Sequence, residues 1–408
     1  MTGPGGRTET WRVPTSGVSG DQKWALPARV ELDSRPTGVP AGTAAADLLA
    51  TDLPAWRHRV ESATPAQVER LLAAGRGRAA DLPTLLSAAA TDRLEDLAGA
   101  SHQLTRQRFG KAVRLFAPLY LSNECVSVCT YCGFSAGNEI ARRTLSVDEA
   151  VAEAQALVDR GFRHVLLVAG EHARIVSKGY LEEVVRALAP LVPQLSVEVQ
   201  VWDEATYGRL VAAGCDGLIV YQETYDDATY AEVHRLGKKR NAAWRLAAPD
   251  RGAAAGMRRL GIGALLGLHG DWRTEALAVA AHAEALTRRW WRCEVQVSLP
   301  RLRPAAGGYE PADPVDDRSL TQLVCALRLC LPDVGISLST REPAALRDAL
   351  VPLGVTTLSA GSHTEPGGYA SESDAEPQFA ISDDRSPTEV AAALRANGYD
   401  PVWKDWQR

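Results

Sequence analysis

The 408-residue sequence predicts an α/β fold, a parallel (βα)8 barrel behind a helical N-terminal extension. Three observations predict it. Eight short apolar, β-branched runs alternate with helix-like patterns between about residues 112 and 362. Nearly every run ends in charged or hydrogen-bonding side chains. The first run leads straight into "NECVSVCTYCGF" (123–134), which places Cys125, Cys129 and Cys132 in one loop. Strands alternating with helices form a parallel sheet covered by helices, and eight units in a row close it into a barrel.

Taken in order, residues 1–40 are rich in Gly, Pro, Thr and Ser without periodicity and read as a loose arm. Residues 41–108 read as the helical extension. In "TPAQVERLL", Thr64 stands at a cap, Pro65 at the first helical position and Gln67 where a capping box needs it. The barrel is expected over 109–362. Its runs are "RLFAPLYLS" (114–122), "HVLLVAG" (164–170), "SVEVQV" (196–201), "GLIVYQE" (217–223), "GIGALLGL" (261–268), "CEVQVSLP" (293–300), "GISLSTRE" (335–342) and "VTTLSAGS" (355–362). Ser146 with Glu149 opens a helix that Gly161 closes. The interval 201–217 leaves room for only a brief helix. Residues 363–408 read as a loop, a helix and a tail packed on the barrel. The Gly-, Pro-, Ser- and Asp-rich stretch 361–387 is either a lid or a plain connection. The two tryptophans of "PVWKDW" read as docking anchors.

Composition excludes several classes. A net charge of −5 gives no general drive toward nucleic acid or anionic lipid. No apolar run is long enough for a membrane span, and "MTGPGGRTETW" lacks the apolar core of a secretory signal. Seven cysteines, three of them clustered, do not suggest a disulfide framework. They fit a reduced, cytoplasmic setting, with Cys215, Cys293, Cys325 and Cys330 as small buried hydrophobes.

Barrel chemistry sits at the C-terminal ends of the strands. There the sequence delivers the cysteine loop, Gly170 and Glu171, Glu198 and Gln200, and Gln222 and Glu223. The later runs add His269 and Asp271, Arg301 and Arg303, Arg341 and Glu342, and Ser359 and Ser362. Structural zinc would want a fourth ligand, and His164 and His172 are remote in sequence. An iron–sulfur cube accepts three thiolates and leaves one iron open. The spacing C-x3-C-x2-C with an aromatic before the last cysteine is the signature of radical S-adenosylmethionine (SAM) enzymes. It implies a [4Fe-4S] cluster and SAM as cofactors, reductive cleavage of the sulfonium, and a 5′-deoxyadenosyl radical.

The resemblance is closer still over "QRFGKAVRLFAPLYLSNECVSVCTYCGFSAGNEIARRTL", "LLVAGEH", "VYQETYDDATYAEVH", "SLPRLRPAAGGYEP", "SLSTREP" and "QFAISDDRSPTEVAAAL". From about residue 104 to the tail the chain resembles the tyrosine lyases, the 2-iminoacetate synthase family of bacterial thiazole biosynthesis. The resemblance implies a radical-SAM (βα)8 TIM-type barrel. It implies abstraction of hydrogen from the amino nitrogen of L-tyrosine, scission of Cα–Cβ, and release of p-cresol and 2-iminoacetate. Methionine and 5′-deoxyadenosine are the co-products. The implied partners are a thiazole synthase and a reduced flavodoxin or ferredoxin-type electron donor. The tyrosine lyase of hydrogenase maturation carries C-terminal cysteines for a second cluster, and none follows Cys330 here. Tryptophan lyase shares "RLRP" and "TRE", but "CTYCGFS" and "VWKDW" look more like the tyrosine enzyme. A non-catalytic iron–sulfur subunit is the alternative of another class, and the polar strand ends speak against it.

Residue roles follow. Cys125, Cys129 and Cys132 are the cluster ligands. Tyr131 lies near the adenine or is a packing aromatic. Gly170 and Glu171 match the family's "GE" motif for the methionine end of SAM, and Gln200 and Glu223 are placed for its ribose or amino acid. Arg341, whose planar fork suits a carboxylate, binds the substrate carboxylate with help from Ser362, or else pairs with Glu342 or Asp348. Arg301 and Arg303 alternate onto one side, one for the pocket and one structural. His269, Asp271 and Tyr309 are the candidates for the phenol.

Overall fold

The computed structural model describes residues 38–404. Eight parallel strands form the barrel. They are β1 (Ala112–Ser122), β2 (His164–Ala169), β3 (Gln194–Glu198), β4 (Cys215–Glu223), β5 (Arg259–Ala264), β6 (Glu294–Ser298), β7 (Gly335–Leu338) and β8 (Thr357–Ser359). β8 returns to β1 with Arg114 opposite Thr357, which closes the barrel. A short β9 (Asp400–Val402) adds in parallel to the start of β1. The expected fold class is the observed one, but several strands stop short of their apolar runs. β3 ends at Glu198 rather than 201, and β7 at Leu338 rather than 342.

The helices outside are made by periodicity. In Lys178–Leu188, Leu181, Val184, Val185 and Leu188 recur at helical spacing and are buried. Each such side chain is worth about 1.5–3 kcal/mol when removed from water. Ser177 caps this helix by accepting from the Tyr180 N–H. Ser146 and Glu149 form the expected capping box on Val147–Asp159. The interval 201–217 holds a ten-residue helix, Glu204–Ala213.

The expected helical extension comprises Ala44–Leu49, Leu53–Ser62, Pro65–Ala74 and shorter turns, then the long Leu94–Phe109 that runs into β1. Thr64 and Gln67 make their reciprocal cap. The apolar side chains of these helices, Val60, Leu82, Leu97 and Leu104 among them, belong to the same core as the barrel. Asp250 ties the first of them down by accepting from the Ala44 and Ala45 N–H groups. The reading of residues 1–40 as an arm falls almost wholly outside the described residues. Of the two tail tryptophans, Trp403 packs edge-on to Phe162 at 5.2 Å, and Trp406 lies outside them. Among the described residues no helix is long and apolar enough to cross a membrane. All seven cysteines are free of disulfides.

Candidate active site

The C-terminal ends of the strands enclose a cavity with an empty volume of about 970 Å³ counted to its open mouth. Tyr131, Cys132, Glu198, Glu223, Lys239, Arg303, Arg341, Ser362, Gln378 and Phe379 are among its lining residues. Phe116, Leu166 and Tyr221 form the floor between it and a smaller space at the other end of the barrel.

The cysteine loop is held from three sides. Arg142 donates to the carbonyls of Asn123, Phe134, Ser135 and Asn138, at 2.6 to 3.1 Å. The connection after β4 folds back, so that His234–Leu236 pairs antiparallel with Val128–Cys129. His234 then meets the Tyr131 hydroxyl at 2.9 Å. From β2, Gly170 lies so close that a Cβ there would sit 2.4 Å from the Glu124 carbonyl oxygen. Only glycine admits that approach.

The donors suit an iron–sulfur cluster. The Ser127 N–H faces Cys125 Sγ at 3.4 Å, and Gln378 Nε2 faces Cys132 Sγ at 3.7 Å. N–H groups aimed at sulfur favour thiolate over thiol. Burial, with Glu171 and Cys132 adding to it, pushes the Cys125 thiol up to about 11. Burial also drives Cys129 well upward, against the pull of Lys239. Among the described residues no three potential ligands converge on a single ion. A cluster asks for something else, a thiolate at each of several irons.

The structure places the other expected residues as follows. Glu171 is buried, its Oε1 accepting from Arg245 at 3.1 Å and its Oε2 from Ser127 at 3.1 Å, outside the cavity lining. Tyr131 and Glu223 line the cavity. Glu223 is the one non-glycine residue of positive φ among those described, at 73°, and its carboxylate accepts from Lys239 at 2.6 Å. A left-handed glutamate is uncommon, and such strain collects at functional sites. Gln200 is not brought to the cavity. β3 ends at Glu198, the chain bends, and Gln200 donates to the Val176 carbonyl at 2.8 Å. The alternation that would have kept 198 and 200 on one face stops with the strand. Glu198 lines the cavity instead.

Arg341 and Ser362 both line the cavity. Neither Glu342 nor Asp348 pairs with Arg341. Glu342 is buried between Arg301 and Arg303, and Asp348 is held by Arg385 at 2.9 and 3.1 Å. Among the described residues the Arg341 guanidinium meets only the face of Phe379, 3.3 Å from the ring centroid. Desolvation lowers its pKa, against the Coulombic pull of Glu223 and Glu198 among others. Ser362 Oγ is buried with no hydrogen-bond partner among the described residues. Arg301 lies outside the lining and is structural, because a carboxylate as buried as Glu342 needs paired cations. Arg303 lines the cavity while also donating to the Arg341 carbonyl at 2.6 Å, so it carries the turn that presents Arg341. None of His269, Asp271 and Tyr309 lines the cavity. Asp271 caps Trp272–Arg289 and pairs with Arg57. Sequence reasoning missed Lys239 and Arg245, which lie in a long connection, and Gln378 and Phe379. "KKR" (238–240) carries no local pattern that would have separated it from surface loop, and "QF" (378–379) opens a stretch that carried the resemblance without pointing to a role.

Known proteins agree with this geometry. The Radical SAM superfamily matches residues 119–280, and the Biotin and Thiamin Synthesis associated domain matches 298–400. Barrel, cysteine loop and cavity thus define a protein of the Radical SAM superfamily. Over 350 residues the chain is 47% identical to 2-iminoacetate synthase of Escherichia coli (strain K12), covering 86% of this chain and 93% of that one. It is 45% identical to 2-iminoacetate synthase of Salmonella typhimurium, with the same coverage. The chain belongs to the 2-iminoacetate synthase family. The structure of the [FeFe]-hydrogenase maturase HydG from Carboxydothermus hydrogenoformans matches with a TM-score of 0.81 at 33% identity. That match covers 89% of this chain and 86% of that one.

Proposed function

We propose that this chain is a radical-SAM carbon–carbon lyase that cleaves L-tyrosine between Cα and Cβ to 2-iminoacetate and p-cresol. The observation that carries the reading is that Cys132 and the unpaired Arg341 guanidinium line one cavity. That cavity therefore offers a cluster ligand and a carboxylate receptor together. Cys125, Cys129 and Cys132 would hold the [4Fe-4S] cluster, with SAM at the remaining iron. Once bound, this pair supplies one-electron cleavage of the sulfonium and, through it, hydrogen-atom abstraction.

The chain's own residues do the rest. Arg341 takes the substrate carboxylate in its fork, and the free Ser362 hydroxyl adds a hydrogen bond to it. Arg303 holds the turn that presents Arg341. Tyr131 and Glu223, on the cysteine side of the cavity, are assigned to SAM. Glu171, held by Arg245 and Ser127, braces the cluster loop beside Gly170. Family resemblance supports a thiazole synthase as the recipient of 2-iminoacetate and a reduced flavodoxin or ferredoxin as electron donor.

The test is an anaerobic assay of the reconstituted protein with SAM and reductant. Tyrosine should yield p-cresol and 5′-deoxyadenosine. An indole-derived product from tryptophan without p-cresol from tyrosine would assign the chain to the tryptophan lyases. No 5′-deoxyadenosine from either would reject the enzymatic reading.

A further inference from the structure

The segment 363–386 after β8 crosses the mouth of the cavity and is pinned on both sides. On its far side, Ser382 and Asp383 N–H groups donate to the Thr340 carbonyl at 2.8 and 3.1 Å. Asp383 is buried against Arg347 and Arg385. Nearer the centre, the Ala380 N–H donates to Pro304 and the Gln378 N–H to Thr364. On the cysteine side, the Gly133 N–H donates to the Gln378 carbonyl at 3.2 Å. A Cβ on Gly133 would fall 2.4 Å from that same oxygen, so the strap and the cysteine loop lie backbone to backbone. These ties put Gln378 where its side chain spans two groups. Its Oε1 accepts from the Tyr120 hydroxyl at 2.8 Å, and its Nε2 faces Cys132 Sγ at 3.7 Å. The polarity is self-consistent. A thiolate only accepts, so the NH2 end belongs on sulfur, and the carbonyl end is then left for a hydroxyl donor. The next residue, Phe379, lies on the Arg341 guanidinium.

We propose that Gln378 is a positioning residue of the cluster, which donates an N–H···S hydrogen bond to the Cys132 thiolate and so raises the potential at which the cluster is reduced. The proposal rests on the reading of the three cysteines as cluster ligands. Hydrogen bonds to cluster sulfurs are among the terms that set reduction potential. Reduction adds negative charge to the cluster, so a donor at sulfur stabilises the reduced state more than the oxidised one. Phe379, immediately following, keeps the plane of Arg341 fixed. Two adjacent residues of one strap therefore serve the electron-accepting end and the carboxylate-binding end of the same cavity. The strap is thus part of the active site rather than a connection over it.

The experiment is a redox titration of the reconstituted protein, followed by the electron paramagnetic resonance signal of the reduced cluster. It compares the parent with Gln378→Leu and Gln378→Glu, without substrate. Parent protein that binds no iron would fail the functional reading itself, before this question arises. With a cluster present, both variants should titrate at more negative potential than the parent. Gln378→Glu should move further, because it exchanges a donor for a negative charge. Gly133→Ala serves as a second route. It pushes the strap from the loop while leaving the amide intact, and should lower the potential in the same direction. If either Gln378 variant retains full iron and titrates at the parent potential, the hydrogen bond does not tune the cluster and the proposal is overturned.

Discussion

Replacing Arg341 by alanine is the sharpest test of how the substrate is held. The change removes a guanidinium that has no carboxylate partner among the described residues and rests on Phe379. Glu223 pairs with Lys239 and pulls on Arg341 only at longer range, so a substrate carboxylate arriving there displaces no close ion pair. A hydrogen bond to a charged group is worth about 1.5–3 kcal/mol, and truncating one partner of a buried charge pair costs about 2–5 kcal/mol. The mouth is open to solvent, so the lower half of that range applies, roughly 30- to 400-fold in tyrosine affinity. Lysine keeps the charge and loses the fork, and should fall between alanine and the parent. The cysteine loop and its braces are untouched, so iron content and SAM binding should match the parent in both variants. The assay measures tyrosine affinity together with the ratio of p-cresol to 5′-deoxyadenosine. That ratio should drop most in Arg341→Ala, since a misplaced substrate lets SAM be consumed without scission. Parent affinity and a parent ratio in Arg341→Ala would refute the reasoning and place the carboxylate elsewhere, with Arg303 the remaining arginine of the cavity lining.

Three further outcomes are expected. Cys129→Ala should lose the cluster and all 5′-deoxyadenosine formation, and iron analysis beside the product assay checks both. Arg142→Ala removes four donations to carbonyls of the cysteine loop, a loss on the order of 2–4 kcal/mol in local stability. It should appear as faster iron release under chelator, with little change in the melting temperature of the barrel. Glu198 concerns pH. Burial first, then the negative charge of Glu223, raise it to about 7 against the opposing pull of Lys239, Arg245 and Arg341. Its pKa is thus higher in the fold than in the unfolded chain. Its full contribution is present below about 4.3, is lost as pH rises through about 7, and changes no further above that. Glu198→Gln in the cluster-free protein should therefore gain stability over the parent across that window, on the order of 2–4 kcal/mol by pH 8. A constant difference in denaturant midpoint from pH 4 to 8 would show that Glu198 titrates normally.

The sequence by itself determined the barrel, because strand and helix alternation is written in local apolar periodicity and caps such as Ser146 with Glu149 are local chemistry. It also grouped the three candidate cluster ligands, because three thiols within eight positions need no tertiary information to be brought together. Strand-end positions were legible only as far as each strand ran. Glu198 stays in the cavity and Gln200 turns away because β3 ends between them, a boundary set by its neighbours rather than by its own residues. Tertiary structure alone decided which arginine is free. The sequence singled out Arg341 by its motif but not its surroundings, and in the fold buried Glu342 takes Arg301 and Arg303 and leaves Arg341 facing the cavity. It alone brought Lys239 to Glu223, Arg245 to Glu171 and Gln378 to Cys132, contacts spanning 16, 74 and 246 positions. Such pairings depend on where long connections are pinned as the barrel closes. A desolvated charge or sulfur selects its partner by proximity in the fold, and no periodicity along the chain records that choice.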